Sequence, residues 1–178
     1  MKQKNKVFIA TSLDGYIADR NGQIEWLLSI PNPENDDMGY KEFISGIDAL
    51  IMGRNTFEVV CGFDEWYYEK HVFVLSNSLK AIPEKFRDKA TLVKGDLKEV
   101  LAKIHEKGFH NLYIDGGKTI QSFLKEDLID EMTITVIPYL LGGGISLFGD
   151  LMETLKFEAV NTKLFLNYIV QNQFVRKI

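Results

Sequence analysis

A glycine, a cation and a hydroxyl group gather where one short apolar segment of the sequence ends. Residues 49–52 form that segment, and Gly53, Arg54 and Thr56 follow it. A glycine lets the backbone approach a ligand closely. The free amides at a helix start, together with a hydroxyl and a guanidinium, bind a phosphate group. A plain strand–turn–helix junction with a threonine cap would use the same residues, so this motif alone leaves both interpretations open.

A second apolar segment ends in small hydrogen-bonding side chains. It covers residues 71–76, and its last part reads Leu75, Ser76 and Asn77. Serine and asparagine after a strand commonly make a turn, because their side chains hydrogen-bond to nearby backbone groups. A ligand contact and a turn are therefore both compatible with this segment.

A third apolar segment is followed by a pair of glycines. Ile114 lies near its end, and Gly116, Gly117, Lys118 and Thr119 follow. Two glycines between a strand and a helix suit close approach to a dinucleotide, with the lysine supplying charge, or they make a tight turn. Ligands of open α/β sheets bind at the carboxyl ends of the strands, where all three segments end. The sequence therefore predicts a binding site at that edge.

Composition and missing motifs exclude several other classes. The formal net charge is −4 and the cations are scattered, so we expect no nucleic-acid partner. The sequence has no Gly-x-Gly-x-x-Gly motif after its first apolar segment, no Walker loop and no His-Glu-x-x-His motif. A single cysteine and three histidines without ligand spacing predict no metal site. The apolar run at residues 7–10 is too short for a signal peptide or a membrane span, so we expect a cytoplasmic protein.

The remaining pattern predicts the elements that would hold these residues. Apolar runs alternate with helical spacing, which is typical of a mostly parallel sheet with helices on both faces. The predicted strands are residues 6–11, 49–52, 71–76, 91–94 and 111–115, and the predicted helices are residues 36–45, 55–61, 96–107 and 119–126. Three later segments, residues 130–138, 156–163 and 167–176, predict antiparallel strands at one edge, with a turn at residues 165–167. We expect one α/β domain over residues 1–178.

The three junctions, in this order and spacing, resemble the NADPH site of dihydrofolate reductase. The resemblance covers almost the whole chain and implies the three-layer sandwich of that superfamily. It places the adenosine 2′-phosphate near Arg54, Ser76, Asn77 and Lys118. It places the pyrophosphate along Gly53, Thr56, Gly116, Gly117 and Thr119.

The start of the chain extends this resemblance. Residues 9–18 resemble the first strand and the loop that covers the nicotinamide ring. The resemblance implies that Ala10 and Ile17 contact the ring. Gly15, Leu75 and Ile114 complete the implied cofactor site.

Two further motifs are similar to the reductase domain of the riboflavin-biosynthesis deaminase–reductase. They are residues 12–15, Ser-Leu-Asp-Gly, and residues 138–144, which end in three glycines. This resemblance implies an NADPH-dependent reductase that transfers hydride to a small nitrogen heterocycle, and it suggests a homodimer. The glycine run would shape a turn beside the substrate or a dimer contact. A true dihydrofolate reductase, or a protein that binds NADPH without efficient turnover, remain the alternatives.

The substrate side departs from the dihydrofolate reductase pattern. Asp37 lies 17 residues before Arg54, where that family has its pterin-binding carboxylate, so the resemblance implies a catalytic role. An aspartate there also suits a helix start, which leaves two interpretations. Lys41 stands where an aromatic residue is usual, and Leu13 and Asp14 would border the same cleft.

The glycine pair departs from that pattern as well. Asp115 replaces the first glycine of the family motif, a change familiar in the riboflavin branch. The motif carries a cis peptide in dihydrofolate reductases, and the sequence leaves open whether one persists here.

Overall fold

The computed structural model describes residues 3–177. Within that range the chain forms ten strands, five α-helices and one 3₁₀ turn, and every peptide bond is trans. The strands are β1 (Lys4–Ser12), β2 (Tyr16–Ala18), β3 (Ala49–Gly53), β4 (His71–Leu75), β5 (Ala90–Val93), β6 (Asn111–Asp115), β7 (Glu131–Ile137), β8 (Ile145–Ser146), β9 (Phe157–Phe165) and β10 (Ile169–Arg176). The helices are α1 (Glu25–Leu28), α2 (Tyr40–Ser45), α3 (Arg54–Cys61), α4 (Leu97–Glu106) and α5 (Gly117–Lys125), and the 3₁₀ turn is Glu84–Phe86.

Eight strands build one sheet in the order β5-β4-β3-β6-β1-β7-β10-β9. The first six strands in this order run parallel, and β10 is antiparallel to both β7 and β9. The predicted architecture, a mostly parallel sheet with antiparallel strands at one edge, is confirmed. Strands β2 and β8, which the sequence did not predict, pair into a separate two-stranded sheet.

Each face of the sheet buries its own apolar cluster, because alternate side chains of a strand point to opposite faces. One face carries Val7, Ile51 and Ile114 against buried residues of α4 and α5. The other face carries Leu50 and Tyr113, together with residues next to α2 and in α3. Helices therefore cover both faces, which gives three layers.

Strands β1 and β6 separate at their carboxyl halves. Their register runs from Lys4↔Asn111 to Lys6↔Tyr113, whereas β1 stays paired with β7 as far as Ser12↔Ile137. The Tyr113 hydroxyl donates a 2.8 Å hydrogen bond to the Phe8 carbonyl across this gap. A backbone oxygen without a strand partner is thereby satisfied by a side chain.

A tight turn joins β9 and β10 as predicted. Leu166 and Asn167 both have positive φ, and the Tyr168 amide donates to the Phe165 carbonyl. Two central residues with positive φ match the right-handed twist of paired strands, so the turn favours this hairpin.

Two predicted helix starts are wrong by a few residues. Helix α2 begins at Tyr40 instead of residue 36, because residues 36–39 form a turn that ends in Gly39 with φ of +84°. Helix α5 begins at Gly117 instead of residue 119, since the second glycine of the pair already has helical geometry. Helix α1, a single turn at Glu25–Leu28, had no recognised signal in the sequence.

No helix among residues 3–177 combines the length and apolar character that crossing a membrane requires.

Glu131 links the first strand to its neighbour through two lysines. Its carboxylate accepts from Lys4 and lies 3.0 Å from the Lys6 ammonium, and its side chain is mostly buried. Burial alone would raise the pKa of Glu131, but the bonds from Lys4 and Lys6 outweigh it, so the pKa lies below its ordinary value of 4.5.

We expect Glu131→Gln to lower the free energy of unfolding by about 1–3 kcal/mol, because two lysines lose a charged partner. The contribution of Glu131 is present above the pKa of an unfolded glutamate and is lost as the pH falls through the lower folded-state pKa. Urea unfolding from neutral pH to below 4.5 measures both effects. Glu158→Gln, in the exposed pair with Lys177, is the control and should change stability by less than about 1 kcal/mol. Equal losses in the two variants would contradict this assignment.

Candidate active site

The three junctions that the sequence singles out lie side by side in the structure. Strands β4, β3 and β6 are neighbours, with Gly53 opposite Leu75 and Met52 opposite Asp115. Because the three strands are parallel, their carboxyl ends meet at one edge of the sheet. The tertiary structure therefore assembles one site from segments that are far apart in the sequence.

Two of these junctions pack tightly against each other. A Cβ added to Gly53 would lie 2.9 Å from Thr119 Oγ1, and a Cβ added to Gly116 would overlap Thr56 Oγ1. Gly116 also has a φ of +88°, which side chains rarely adopt. Four predicted cofactor residues, two glycines and two threonines, are thus brought into direct contact.

Helices α3 and α5 both start at this contact, and glycines form their N-caps. Neither Gly53 nor Gly116 provides a side-chain cap, whereas the Asp96 side chain accepts from the Lys98 amide at the start of α4. The first amides of a helix have no partner within the helix. Two adjacent helix starts of this kind can together bind an anion such as a pyrophosphate.

The predicted 2′-phosphate residues lie around this edge with local partners of their own. Arg54 Nε lies 3.6 Å from Glu58 Oε1, and Lys118 is exposed on the first turn of α5. The buried Ser76 hydroxyl accepts from the Leu79 amide, and Asn77 Oδ1 accepts from the Gly95 amide. The Ser76 bond is that of a turn, the Asn77 bond joins the segments that follow β4 and β5, and both cations are accessible to a ligand.

The loop after β1 reaches the glycine pair from the other side. A Cβ added to Gly117 would lie 2.7 Å from Ile17 Cδ1, so Ile17 packs on the second glycine. The Gly15 carbonyl accepts from the Leu147 amide, which holds this loop beside β8. Ala10 is half-buried on the part of β1 that has separated from β6. The predicted nicotinamide residues therefore border the same edge as the junctions.

Asp14 connects two loops. Its carboxylate accepts from the Ser12 hydroxyl and from the amides of Leu141 and Gly142. The Ser12 bond is the main cause that lowers the pKa of Asp14, and the Gly142 and Leu141 bonds add to it. The side chain thus fixes the loop around Leu13, which is itself exposed, and its role as a substrate contact stays a prediction.

The run of three glycines packs on the end of β2 and on the residues that follow it. Gly142 accepts a hydrogen bond from Arg20, and a Cβ added to Gly144 would overlap the Ala18 carbonyl. The run shapes the turn that leads into β8.

Asp37 lies at the start of α2, where it is exposed. Its carboxylate accepts from the Lys41 and Gly39 amides at 3.0 Å each. These two bonds lower the pKa of Asp37. Lys41 is exposed as well. The geometry favours the helix-start interpretation of Asp37, and its catalytic role stays a prediction.

Asp115 is a site residue that the sequence analysis treated only as a departure from a family motif. Its carboxylate accepts from the Tyr68 hydroxyl at 2.7 Å and from the Gly116 amide at 2.8 Å. Burial raises the pKa of Asp115 above its ordinary value, although the Tyr68 and Gly116 bonds partly oppose this. The signal available in the sequence was an acidic side chain directly before a glycine pair.

Tyr68 was not recognised, because it lies in a loop between α3 and β4 without a motif. Its ring packs against Tyr67 and Trp66 at centroid distances of 5.5 and 6.2 Å. Burial, followed by the charge of Asp115 and the bond to it, raises the pKa of Tyr68. Only the fold brings this loop to the carboxyl end of β6.

Solved structures share this fold. Dihydrofolate reductase from Enterococcus faecalis, complexed with NADP(H), superimposes with a TM-score of 0.67 at 15% identity, covering 98% of this chain and 97% of that chain. The chain therefore has the dihydrofolate reductase-like fold that the sequence predicted.

Sequence relatives define the family. The model of the RibD C-terminal domain matches residues 5–170. The uncharacterized protein YwjB of Bacillus subtilis is 36% identical over 180 residues, covering 99% of each chain. A crystal structure of a candidate riboflavin biosynthesis protein from Shewanella sp. PV-4 superimposes with a TM-score of 0.95 at 52% identity, covering 98% of this chain and 99% of that chain. The chain belongs to the RibD C-terminal domain family, and the predicted resemblance is confirmed.

Gly116→Ala tests the contact between the two junctions. We expect it to destabilise the protein more than Gly108→Ala does, because Gly108 has a similar φ of +91° but open space around it. The difference combines the overlap with Thr56 and the strain of an alanine at Gly116, whose ψ is 134°; overpacking alone typically costs about 1–3 kcal/mol. Chemical denaturation of the two variants measures this difference.

A second substitution should restore part of the loss. Thr56→Ala removes the hydroxyl that the new methyl group would overlap, so the double variant should be more stable than additivity predicts. If the losses in the free energy of unfolding were strictly additive, the Gly116 and Thr56 positions would not be in steric contact.

Proposed function

We propose that this protein is an NADPH-dependent reductase that transfers hydride to a small nitrogen heterocycle of the riboflavin-pathway type. One observation carries the proposal: two helices with glycine caps start side by side at the carboxyl edge of a parallel sheet. Membership in the RibD C-terminal domain family supports the same reaction class.

The residues at this edge fit a dinucleotide phosphate. The amides at the starts of α3 and α5 would bind the pyrophosphate between Gly53 and Gly116. Arg54 and Lys118 would bind the 2′-phosphate, because both are accessible cations in the first turns of these helices. Their charge supports NADPH over NADH.

The nicotinamide end would lie where β1 and β6 separate. Ala10 and Ile17 border that gap, and Asp14 fixes the loop that carries Ile17. NADPH, when bound, supplies the hydride. The protein would contribute orientation and exclusion of water.

The geometry favours the riboflavin-type substrate over dihydrofolate. Both oxygens of Asp37 accept backbone hydrogen bonds at an exposed helix start, whereas Asp115 is partly buried at the end of β6. An acidic residue at position 115 belongs to the riboflavin branch of the resemblance.

We also propose a cytoplasmic homodimer of single-domain subunits. Strand β9 is a nine-residue edge strand with exposed Val160 and Leu164. An exposed edge strand offers unpaired backbone groups to a second chain, and a second copy of this chain would cover it.

Nucleotide binding tests the cofactor. Calorimetric titration should give NADPH a lower Kd than NADH, and NADPH should raise the Tm more than NADH does. Arg54→Gln should weaken NADPH about tenfold, as expected for one lost charged hydrogen bond, and should leave NADH binding nearly unchanged. Arg87→Gln, in the exposed pair with Glu84, is the matched control. If neither nucleotide binds, the cofactor assignment is wrong.

Turnover tests the reaction. Loss of NADPH absorbance should be faster with 5-amino-6-ribosylaminouracil 5′-phosphate than with dihydrofolate at equal concentration. The reverse preference would support a dihydrofolate reductase. Binding of NADPH without turnover of either compound would indicate a protein that binds the dinucleotide without efficient catalysis.

A further inference from the structure

A groove of about 600 Å³ lies between α4 and the start of β1. One stripe of α4, whose members are three or four positions apart, forms one wall: Lys98, Leu101, Ala102, His105 and Glu106. Gln3, Asn5 and Leu128 form the other wall. Helix α4 ends shortly before β6, whose first residue pairs with Lys4, so the last turn of α4 lies next to the amino end of β1. The candidate active site is at the carboxyl ends of the strands, and the groove is therefore separate from it.

Asn5 places a buried polar atom without a partner at this groove. It precedes Val7 by two residues on β1, so its side chain lies on the face of the sheet that α4 covers. Asn5 is 8% exposed, and its Oδ1 has no hydrogen-bond partner among residues 3–177.

The orientation of the Asn5 amide is fixed by its other hydrogen bonds. Its Nδ2 donates to the Leu128 carbonyl at 2.8 Å, and its backbone amide donates to Asp130 Oδ2 at 2.7 Å. Because the Leu128 carbonyl can only accept, the NH₂ group must face it, and Oδ1 is left as the acceptor beside the groove. A buried acceptor of this kind requires a donor, which a ligand in the groove can supply.

His105 supplies a second acceptor. Its Nδ1 lies 2.8 Å from the Phe109 carbonyl, which can only accept, so Nδ1 carries the hydrogen. In the neutral imidazole Nε2 is then the acceptor. The ring stacks on His110 at a centroid distance of 5.9 Å and an interplanar angle of 21°, and this contact fixes its orientation on the wall of the groove.

The electrostatic potential changes sign along the groove. At the Asn5 end lie the carboxylates of Asp130 and Glu106 and the last turn of α4, which is the negative end of the helix dipole. Lys98 lies in the first turn of α4, at the other end. A cation is therefore favoured at the Asn5 end and disfavoured at the Lys98 end. Between the two ends the groove offers apolar surface from Leu101, Ala102 and Leu128.

We propose that this groove binds a small molecule that carries one primary ammonium group on a short apolar chain. The ammonium group donates to Asn5 Oδ1 and His105 Nε2, and the Glu106 carboxylate balances its charge. An ammonium group has three donors and no acceptor, which matches a set of acceptors without a donor. The apolar chain lies along Leu101 and Leu128. This site is additional to the proposed reductase function and does not depend on it.

Three probes with the same six-carbon chain test the proposal. In calorimetric titrations of the full chain at neutral pH, we expect n-hexylammonium chloride to bind saturably, with a Kd at least about tenfold lower than that of 1-hexanol. Hexane-1,6-diamine should bind more weakly than hexylammonium, because its second cation would approach Lys98.

Substitutions in the groove locate the binding site. Asn5→Leu removes the acceptor but keeps a side chain of similar size, so it should weaken hexylammonium at least about tenfold. Ala102→Phe fills the groove from an exposed position and should abolish binding. Glu106→Gln should weaken binding about threefold, as expected for a lost exposed charge. Glu99→Gln, on the same helix but outside the groove wall, is the matched control and should leave the Kd unchanged.

NMR of the imidazole nitrogens tests the contact with His105 directly. Saturation with hexylammonium should shift the Nε2 resonance of His105 and leave that of His71, which lies on β4, in place. An unmoved His105 resonance at saturation would contradict the proposed contact.

The remaining outcomes decide the proposal as a whole. Equal affinity for hexylammonium and 1-hexanol would mean that the groove is only an apolar surface and would overturn the proposal. Undiminished binding in Asn5→Leu would do the same, provided that the variant unfolds cooperatively on heating; if it does not fold, Ala102→Phe decides by the same criterion. If hexylammonium does not bind saturably, water alone satisfies Asn5 Oδ1 and the proposal is wrong.

Discussion

The close contact between the β3–α3 and β6–α5 junctions is the constraint on which the rest of the site depends. Thr119 touches Gly53, and Thr56 touches Gly116, so each strand–helix turn leaves room only for a glycine in the other. This contact places two helix starts side by side without side-chain caps. The two glycines cannot cap these helices with a side chain, as Ser, Thr, Asp or Asn would. The first amides of both helices are therefore free to bind an anion at this edge.

The gap between β1 and β6 is the second organising feature. A sheet that stayed paired to the end of both strands would leave no opening beside the glycine pair. The register stops at Lys6↔Tyr113, and the Tyr113 hydroxyl satisfies the Phe8 carbonyl. Strand β6 continues from Tyr113 to Asp115, which lies beyond the point where the two strands separate. One tyrosine side chain thus bridges the two strands where their backbone pairing has ended.

Three carboxylates near the site differ in role because their surroundings differ. Asp14 accepts from the Ser12 hydroxyl and from loop amides, and Asp37 accepts from amides at the start of α2; these bonds lower both pKa values and fix the backbone. Asp115 is more buried, and burial raises its pKa. Asp37 and Asp115 each accept one hydrogen bond per oxygen, so burial, and not the number of bonds, distinguishes the two carboxylates.

The sequence by itself determined the strand–helix alternation, the antiparallel edge, the β9–β10 turn and the three junctions at strand ends. These features follow from local periodicity and turn chemistry, which act over a few residues. The start of α2, the pairing of β2 with β8 and the meeting of Tyr68 with Asp115 were decided only by the tertiary structure. Residues 68 and 115 are 47 positions apart, and no periodicity relates them. Their contact exists because the loop before β4 packs Trp66 and Tyr68 on the sheet face that also carries Tyr113, the face to which Asp115 points.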